Sequence, residues 1–453
     1  MRDSDRASTF SGRVVALFTT QAFGALIGIF NGILLARVLG PAGKGDYYLL
    51  LLVPATAMVL VQLGLPQAVS FYTARGRTAG IMAKALVLTA VLSVGALVAV
   101  ALLLPLLQDA ILHGIDLDLF LMALVAIPIA VSATFTTAII MGRQAVRWYA
   151  GINMAAPIGT ALLLVVLAAL GPTVMGAIAV YLIVISIRAI GLAIGARRVS
   201  ADNVGAAPVS YRELFRYGLR LYPASLAGFF SYRIDAYLIA WLIVDPSAPL
   251  GYYSMAVGLA ELVFFFPNSV SILFFPHVAG SPREESDRQV AMVSRVTLLV
   301  TGALALLLIP AAVMMIWIMV PAFGPSIPPF LVLLPGVVAL SVAKVVGQYI
   351  TGIGRPGVTS NISVGVFAVN IVANLILIPR FGIVGASAAS LISYSLTSLL
   401  ITAMAARFTR APLMGFWIPR ASDVRFAVTT SVGLVRRLRA ARAASRDDRG
   451  IQR

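Results

Sequence analysis

The stretch SYRIDAYLIAWLIVDPSAPLGYYSMAVGLAELVFFFP, residues Ser231–Pro267, decides the fold of this chain. It is the centre of a longer apolar region, Tyr217–Pro276, in which two runs flank a short turn, Val244–Leu250. A helix rises about 1.5 Å per residue, so about 20 apolar residues cross the hydrocarbon core of a membrane. The pattern therefore predicts two antiparallel transmembrane helices.

Three ionisable residues interrupt this helix pair. Arg233 and Asp235 lie on the first helix, and Glu261 lies on the second. Arg233 precedes the turn and Glu261 follows it by about ten residues, which places both roughly 15 Å below the same membrane face. Each charge costs about 2.5–3.5 kcal/mol at the bilayer centre and is retained where it faces a partner or a watery cavity. The pair is predicted to border a polar cavity within the membrane.

Apolar runs of the same length recur along the chain, which has 453 residues, 60% of them hydrophobic and 11% charged. Soluble domains carry about 25% charged residues, so the predicted fold class is an all-α polytopic membrane protein. We predict about twelve spans. They are Gly12–Arg37, Asp46–Thr73, Ala79–Leu107, Asp118–Met141, Tyr149–Leu170, Thr173–Ala196, Leu214–Val244, Leu250–Val278, Ala291–Met319, Ile327–Gly352, Val358–Pro379 and Ile383–Ala406.

Charges in the connections predict the orientation. One alternating set is rich in arginine and contains Arg75, Arg77, Arg143, Arg147, Arg197, Arg198, Arg212, Arg283, Arg288 and Arg355. The other set contains Lys44, Asp109, Asp116, Asp118, Asp245 and Arg380. By the positive-inside rule, the arginine-rich connections and both termini are cytoplasmic.

The chain contains an internal repeat. Four segments of the first half recur in order in the second half: Tyr47-Tyr48 as Tyr252-Tyr253, Leu102–Pro105 as Leu307–Pro310, Gly142-Arg143 as Gly354-Arg355, and Val174–Ala177 as Ile383–Ala386. The repeat divides the twelve predicted spans into two halves of six. Because six is an even number, the two halves have the same orientation in the membrane, a known transporter plan. We predict a six-helix lobe over 1–196, a linker over 197–213, a second lobe over 214–406 and a basic tail over 407–453.

Composition excludes several classes of function. There is no cysteine and there are two histidines, which argues against thiolate or histidine metal sites and hydrolase triads. The string Gly352–Gly357 matches a dinucleotide fingerprint, but no strand precedes it, so it predicts a tight turn and no nucleotide cofactor.

The net charge of +17 does not indicate a nucleic-acid partner, because the arginines lie in connections and in the tail. Arg407, Arg410, Arg420, Arg425, Arg436, Arg437, Arg439, Arg442, Arg446, Arg449 and Arg453 form this basic tail. Such a tail is expected to bind anionic lipids of the inner leaflet. Val424–Arg453 is predicted either to form an amphipathic helix on that leaflet or to be a solvated, partly disordered tail.

The charged residues in the spans have a structural and a functional interpretation. Arg233 and Asp235 point to different sides of one helix, so Arg233 is expected to pair with Glu261 instead, either as a buried structural ion pair or within a substrate cavity. The candidate cavity residues are Arg233, Asp235, Glu261, Lys344 and Tyr232, and Glu261 and Asp235 are also candidates for coupling to a cation.

Two further patterns carry predictions about packing. Arg188 is expected to snorkel to the cytoplasmic interface. Gly24, Gly28 and Gly32 form a stripe of small residues, which predicts the close approach of another helix to the first span.

Several segments together resemble the bacterial polysaccharide flippases. They are ARVLGPAGKGDYYLLLLVPATAMVLVQLGLPQAVSFYTARG (Ala36–Gly76), SYRIDAYLIAWLI followed by GYYSMAVGLAELVFFFPNSVSILFFPHVAG (Ser231–Gly280), and PRFGIVGASAASLISY (Pro379–Tyr394). The resemblance implies the oligosaccharide branch of the multidrug/oligosaccharidyl-lipid/polysaccharide exporter superfamily, with two pseudo-symmetric six-helix lobes. It implies that an undecaprenyl-diphosphate-linked glycan crosses the bacterial plasma membrane by alternating access.

The resemblance also implies roles and partners. A proton or sodium gradient would drive transport without a bound cofactor, and a polysaccharide polymerase is a candidate partner in exopolysaccharide or O-antigen synthesis. A drug/cation antiporter and a lipid II flippase share the fold and remain alternatives. An enzyme of the same pathway is disfavoured because the connections are short, and a structural scaffold is disfavoured by the charges inside the spans.

Overall fold

The computed structural model describes residues 2–112, 114–201, 208–280, 282–421 and 423. They form thirteen α-helices and three short 3₁₀ segments. The helices are α1 (Arg2–Gln62), α2 (Leu65–Ala74), α3 (Ile81–Ala110), α4 (Leu117–Leu124), α5 (Ala126–Gly142), α6 (Val146–Leu170), α7 (Val174–Ala201), α8 (Tyr211–Leu242), α9 (Ser247–Glu261), α10 (Phe265–Gly280), α11 (Arg283–Met319), α12 (Ile327–Gly352) and α13 (Pro356–Thr409).

These helices confirm the all-α polytopic fold. Among the described residues, nine continuous helical stretches are long and apolar enough to cross a membrane. Two of them contain two spans each, because α1 breaks at Gly40 and α13 breaks at Gly382. Both glycines have positive φ, 66° and 58°, which a residue with a side chain rarely adopts. With α8, whose charges lower its hydropathy, the spans number twelve.

Prolines mark two interruptions within predicted spans. The fourth predicted span consists of α4 and α5, and Pro128 lies in the first turn of α5. The eighth consists of α9, a 3₁₀ segment over Leu262–Phe264, and α10, with Pro267 in the first turn of α10. Proline fits the first turn of a helix because the N–H that it lacks has no helical partner there. Glu261 is thus the last residue before a break in a membrane-spanning helix.

The chain forms two compact units that combine distant segments. The first unit contains the chain up to Leu262 together with Ala311–Leu333 and Ser363–Ser393. The second unit contains Val263–Pro310, Leu334–Ile362 and the described residues from Tyr394 onward. The lobe boundaries given above stay a prediction, and the amphipathic helix expected over Val424–Arg453 lies outside the described residues.

The predicted repeat is visible in how glycines pack. A side chain at Gly45 of α1 would clash with the carbonyl of Ser247, and one at Gly251 of α9 would clash with the carbonyl of Pro41. The same number of residues separates Gly45 from Gly251 and Pro41 from Ser247. Each half of the repeat therefore supplies an equivalent glycine and an equivalent carbonyl, and the contact is nearly symmetric. Corresponding parts of the two halves therefore cross each other here with their backbones in contact.

A second pair of glycines refines the alignment of the halves. Gly142 ends α5 against Ser70 and Thr73, and Gly352 ends α12 against Phe275 and Val278. Gly142 therefore corresponds to Gly352 in structure, two residues before the Gly354 that the sequence alignment selected. Gly354 lies in the tight turn before α13, with φ of 81°.

The close contact predicted for the stripe Gly24, Gly28 and Gly32 is not found among the described residues. A Cβ added at any of these glycines would meet no atom of the described residues within 4 Å, once their own helix and chain neighbours are set aside. Among the described residues, the small residues therefore do not form the close helix contact that the spacing predicts. The spacing of small residues cannot distinguish a close helix contact from a stretch without one, because glycine fits both.

Candidate functional site

Arg233 and Glu261 form the ion pair that the sequence predicts. Arg233 lies on α8 about 13 Å along the helix from its end at Leu242, and Glu261 is the last residue of α9. Arg233 Nη1 lies 3.7 Å from Glu261 Oε1, and the side chains are 31% and 35% exposed. The same Nη1 donates a 3.3 Å hydrogen bond to the hydroxyl of Tyr48 on α1. The ion pair is therefore long and partly exposed.

The polar contacts between α1 and α8 continue beyond Arg233. The hydroxyls of Thr56 and Tyr237 lie 2.5 Å apart, and Tyr237 also donates to the carbonyl of Leu52 at 3.2 Å. Tyr222 donates to the carbonyl of Leu60 at 2.6 Å. A row of polar contacts therefore joins these two membrane-spanning segments in an otherwise apolar surrounding.

Asp235 lies two residues from Arg233 but in a different environment. It is 2% exposed, and its carboxylate accepts hydrogen bonds from Tyr253 Oη at 2.7 Å, from Asn374 Nδ2 at 3.0 Å and from Ser390 Oγ. Tyr253 is on α9, whereas Asn374 and Ser390 lie on α13 on either side of the Gly382 break. As the sequence predicts, Asp235 and Arg233 do not form an ion pair.

The Asp235 cluster contains one further buried oxygen. Asn374 Oδ1 is buried and accepts no hydrogen bond from the described residues. Next to it, Asn370 donates to Ser393 Oγ at 2.9 Å. No lysine or arginine of the described part of the chain lies within ion-pair distance of Asp235. The described neighbours of the Asp235 carboxylate are thus neutral hydrogen-bond donors.

The remaining candidates are more dispersed. Tyr232 is partly exposed on α8, and helix geometry turns it about 100° from Arg233. Lys344 belongs to the second unit, where its Nζ lies 4.4 Å from the centre of the Phe264 ring. Arg188 donates from Nε to Asn153 Oδ1 at 3.1 Å, so its nearest polar partner is an amide on α6.

The arginine-rich side of the chain carries a strong ion pair outside the spans. Arg77, between α2 and α3, makes bonds of 2.7 and 3.1 Å to the Glu213 carboxylate. It also donates to the carbonyl of Pro208 at 2.6 Å. Ser210 and Glu213 form a capping box at the start of α8. The hydrogen bonds from Arg77, and then those from Ser210, lower the pKa of Glu213 to about 2.

On the opposite side of the same unit, the crossing of α1 and α9 carries its own polar contacts. Ser247 Oγ donates a 2.5 Å hydrogen bond to Asp46. Lys44 is 7% exposed, and its Nζ lies 5.1 Å from the centre of the Phe323 ring. Tyr252 packs edge-on against the same ring at 5.9 Å.

A family model matches more than half of this chain. The model described as "Polysaccharide biosynthesis protein" matches residues 13–280, which is more than half of the chain and includes Arg233, Asp235 and Glu261. The chain belongs to this polysaccharide biosynthesis protein family. The match confirms the family resemblance inferred from the sequence.

Two curated proteins of Haloferax volcanii are similar to parts of this family member. One, "Probable low-salt glycan biosynthesis flippase Agl15", is 27% identical over 217 residues, 46% of this chain and 45% of that protein. The other, "Probable flippase AglR", is 29% identical over 158 residues, 33% of each chain. The matched segments thus span less than half of the length of either relative.

Solved structures support the fold. An inward-facing multidrug resistance MATE family transporter of the MOP superfamily aligns with a TM-score of 0.62 at 15% identity, covering 87% of this chain and 98% of the other. The lipid II flippase MurJ in an inward closed conformation aligns with a TM-score of 0.59 at 14% identity, covering 92% of both chains. This family member therefore has a MOP-like arrangement of membrane-spanning helices.

The sequence did not identify most partners of the charged residues. Tyr48 and Tyr253 were visible as markers of the repeat, but nothing indicated their contacts with Arg233 and Asp235. Asn370, Asn374 and Ser390 were overlooked, although two asparagines four residues apart in an apolar span are a detectable signal. Spacing of i, i+4 places both on one helix face, where polar groups need a partner in the membrane.

Proposed function

We propose that this protein is a flippase that carries an undecaprenyl-diphosphate-linked oligosaccharide across the bacterial plasma membrane for cell-surface polysaccharide synthesis. The observation that carries the proposal is the partly exposed Arg233–Glu261 pair within the membrane-spanning helices. A diphosphate needs compensating charge to cross hydrocarbon, and a guanidinium supplies it with paired hydrogen bonds. Family membership and the two similar Haloferax volcanii proteins, both described as probable flippases, support the same conclusion.

Substrate binding would work by exchange at Arg233. The diphosphate displaces Glu261 from a pair that is already 3.7 Å long, and Tyr48 keeps the guanidinium in place. The isoprenoid stays in the lipid, and the two halves of the repeat expose the bound head group to each side in turn. Tyr232 stacks on a sugar ring, and Lys344 adds positive charge along the path.

The return step would use a cation. Asp235 is the better coupling residue because it is buried among oxygen and amide groups, and Glu261 is the second candidate because it is released when the diphosphate binds Arg233. A proton or sodium gradient supplies the energy, and no bound cofactor takes part. Both termini lie in the cytoplasm, the basic tail binds anionic lipids, and a polysaccharide polymerase uses the delivered product.

The test is complementation of a strain that lacks the gene. The wild type is expected to restore surface polysaccharide, and Arg233→Gln is expected to lower export roughly tenfold or more at equal protein level, because charge-assisted hydrogen bonds contribute about 1.5–3 kcal/mol each. Lipid-linked oligosaccharide would accumulate on the cytoplasmic face. A strain that instead becomes sensitive to cationic drugs or dyes, with normal polysaccharide, would indicate a drug/cation antiporter.

A double variant distinguishes substrate binding from a structural ion pair. Arg233→Gln leaves Glu261 without its cation, so loss of activity alone is ambiguous. Arg233→Gln/Glu261→Gln removes both charges. If Arg233 binds diphosphate, the double variant stays inactive while Glu261→Gln alone keeps export. If the double variant exports polysaccharide like the wild type, Arg233 has only a structural role.

A further inference from the structure

Arg188 is a charge inside the membrane-spanning helices that the proposed function leaves unused. It lies about 21 Å along α7 from Val174, near the middle of the helix. Its partner Asn153 lies about 10 Å along α6 from that helix's first residue. The guanidinium therefore lies within the apolar region, nearer to the arginine-rich end of the helices than Arg233 is.

The guanidinium of Arg188 is compensated only in part. Four other arginines of the described chain pair with carboxylates: Arg77, Arg233, Arg283 and Arg295. Arg188 has no carboxylate within ion-pair distance among the described residues, and its one hydrogen bond there runs from Nε to Asn153 Oδ1. That bond fixes the plane of the guanidinium and leaves both terminal amino groups for an acceptor that is not part of the described protein.

The face of α7 that carries Arg188 is not its lipid-facing row. Ile183, Ile187, Ile190 and Ile194 form the row of exposed apolar side chains on this helix. Arg188 shares a row with Gly191 and Gly195, which lie against Ile152 and Trp148 of α6. The side chain is partly exposed beside this helix contact.

Other polar groups lie along the same stretch of α6. Pro157 has no N–H, so the carbonyl of Asn153 lacks its helical donor. Asn31 of α1 donates to the carbonyl of Pro157 at 2.9 Å, and its buried Oδ1 accepts no hydrogen bond from the described residues. Three helices thus bring incompletely satisfied polar groups to one region that also contains a fixed cation.

We propose that Arg188 binds the phosphate groups of an anionic prenyl-linked head group as it enters from the arginine-rich side. The inference rests on the proposed function and adds a second cation to it, at a different depth from Arg233. The long pair at Arg233 includes an internal carboxylate competitor, whereas Arg188 has none in the described structure. Arg188 is therefore suited to capture the diphosphate first.

Binding to the purified full-length protein in neutral detergent tests this inference. The probes are farnesyl diphosphate and phosphatidylglycerol, and the readouts are the dissociation constant and the melting temperature. Arg188→Gln is expected to weaken farnesyl diphosphate binding roughly tenfold or more, because charge-assisted hydrogen bonds are lost. Arg188→Lys keeps the charge and is expected to lose less. Arg197→Gln, an exposed arginine on the same helix, is the matched control and is expected to bind like the wild type.

Each outcome assigns a cause. If Arg188→Gln binds farnesyl diphosphate within twofold of the wild-type affinity at an unchanged melting temperature, the role of Arg188 is overturned. The proposed function is then unaffected. Equal loss of binding in Arg188→Lys and Arg188→Gln with a lowered melting temperature also overturns it, since that indicates a structural role. If the wild-type protein has the same dissociation constant for phosphatidylglycerol as for farnesyl diphosphate, the site binds bulk lipid, which overturns the proposal. Wild-type protein that binds no prenyl diphosphate contradicts the proposed function itself.

Discussion

At the scale of single residues, Asp235 and Glu261 are both acids in membrane-spanning helices, but truncating them is expected to have different effects. Asp235→Ala removes the acceptor of Tyr253, Asn374 and Ser390 in a buried place, which is expected to cost about 1–3 kcal/mol of stability. Glu261→Ala opens a pair that is partly exposed, so it is expected to lower stability less than Asp235→Ala does. Melting temperatures of the purified proteins measure the difference.

The same two variants identify the coupling residue. A cation that binds only the folded state raises the melting temperature, so sodium or acid is expected to stabilise the wild type and Glu261→Ala. Asp235→Ala is expected to lose that response. If Asp235→Ala is still stabilised to the full extent, the cation binds elsewhere and Asp235 has a structural role.

At the scale of helices, the crossing of α1 with α9 depends on two glycines. Gly251→Ala places a methyl group against the carbonyl of Pro41, a backbone atom that cannot rotate away. Crowding of this kind costs about 1–3 kcal/mol, so we expect a lower melting temperature and weaker export. Gly258→Ala, on the same helix, is the control, because its added Cβ meets no described atom within 4 Å outside its own helix and chain neighbours.

In this comparison Gly258→Ala is expected to be neutral or to stabilise α9 by up to about 1 kcal/mol, since alanine favours helix more than glycine does. Equal melting temperatures for the two variants would show that the helices separate at this crossing at little cost. The crossing would then not hold the two halves of the repeat together on this side of the first unit.

Helix positions were more predictable than helix contacts. Twelve spans follow from the lengths of apolar runs, and the breaks at Gly40 and Gly382 fall within two predicted connections. The pairing of Arg233 with Glu261 was also predictable, because charges at equal depth on adjacent helices are expected to meet. The partners Asn374 and Ser390 were not, since they are over 100 residues away and no local pattern tells which helix packs on α8.

At the scale of the whole molecule, orientation is the untested step on which the direction of transport depends. The arginine-rich connections predict that the loops near Arg75 and Glu284 face the cytoplasm, and that those near Gln108 and Val244 face outward. The chain contains no cysteine, so a single introduced cysteine reports its position without background labelling. All four positions are exposed, and Val244 is 96% exposed.

Labelling of intact cells with a membrane-impermeant maleimide decides the orientation. Val244→Cys and Gln108→Cys are expected to react in intact cells, and Arg75→Cys and Glu284→Cys only after permeabilisation. The reverse pattern would mean that the molecule has the opposite orientation, with Arg188 nearer to the outer face than Arg233. A substrate entering from the cytoplasm would then meet Arg233 first, which contradicts the order of binding proposed for these two arginines.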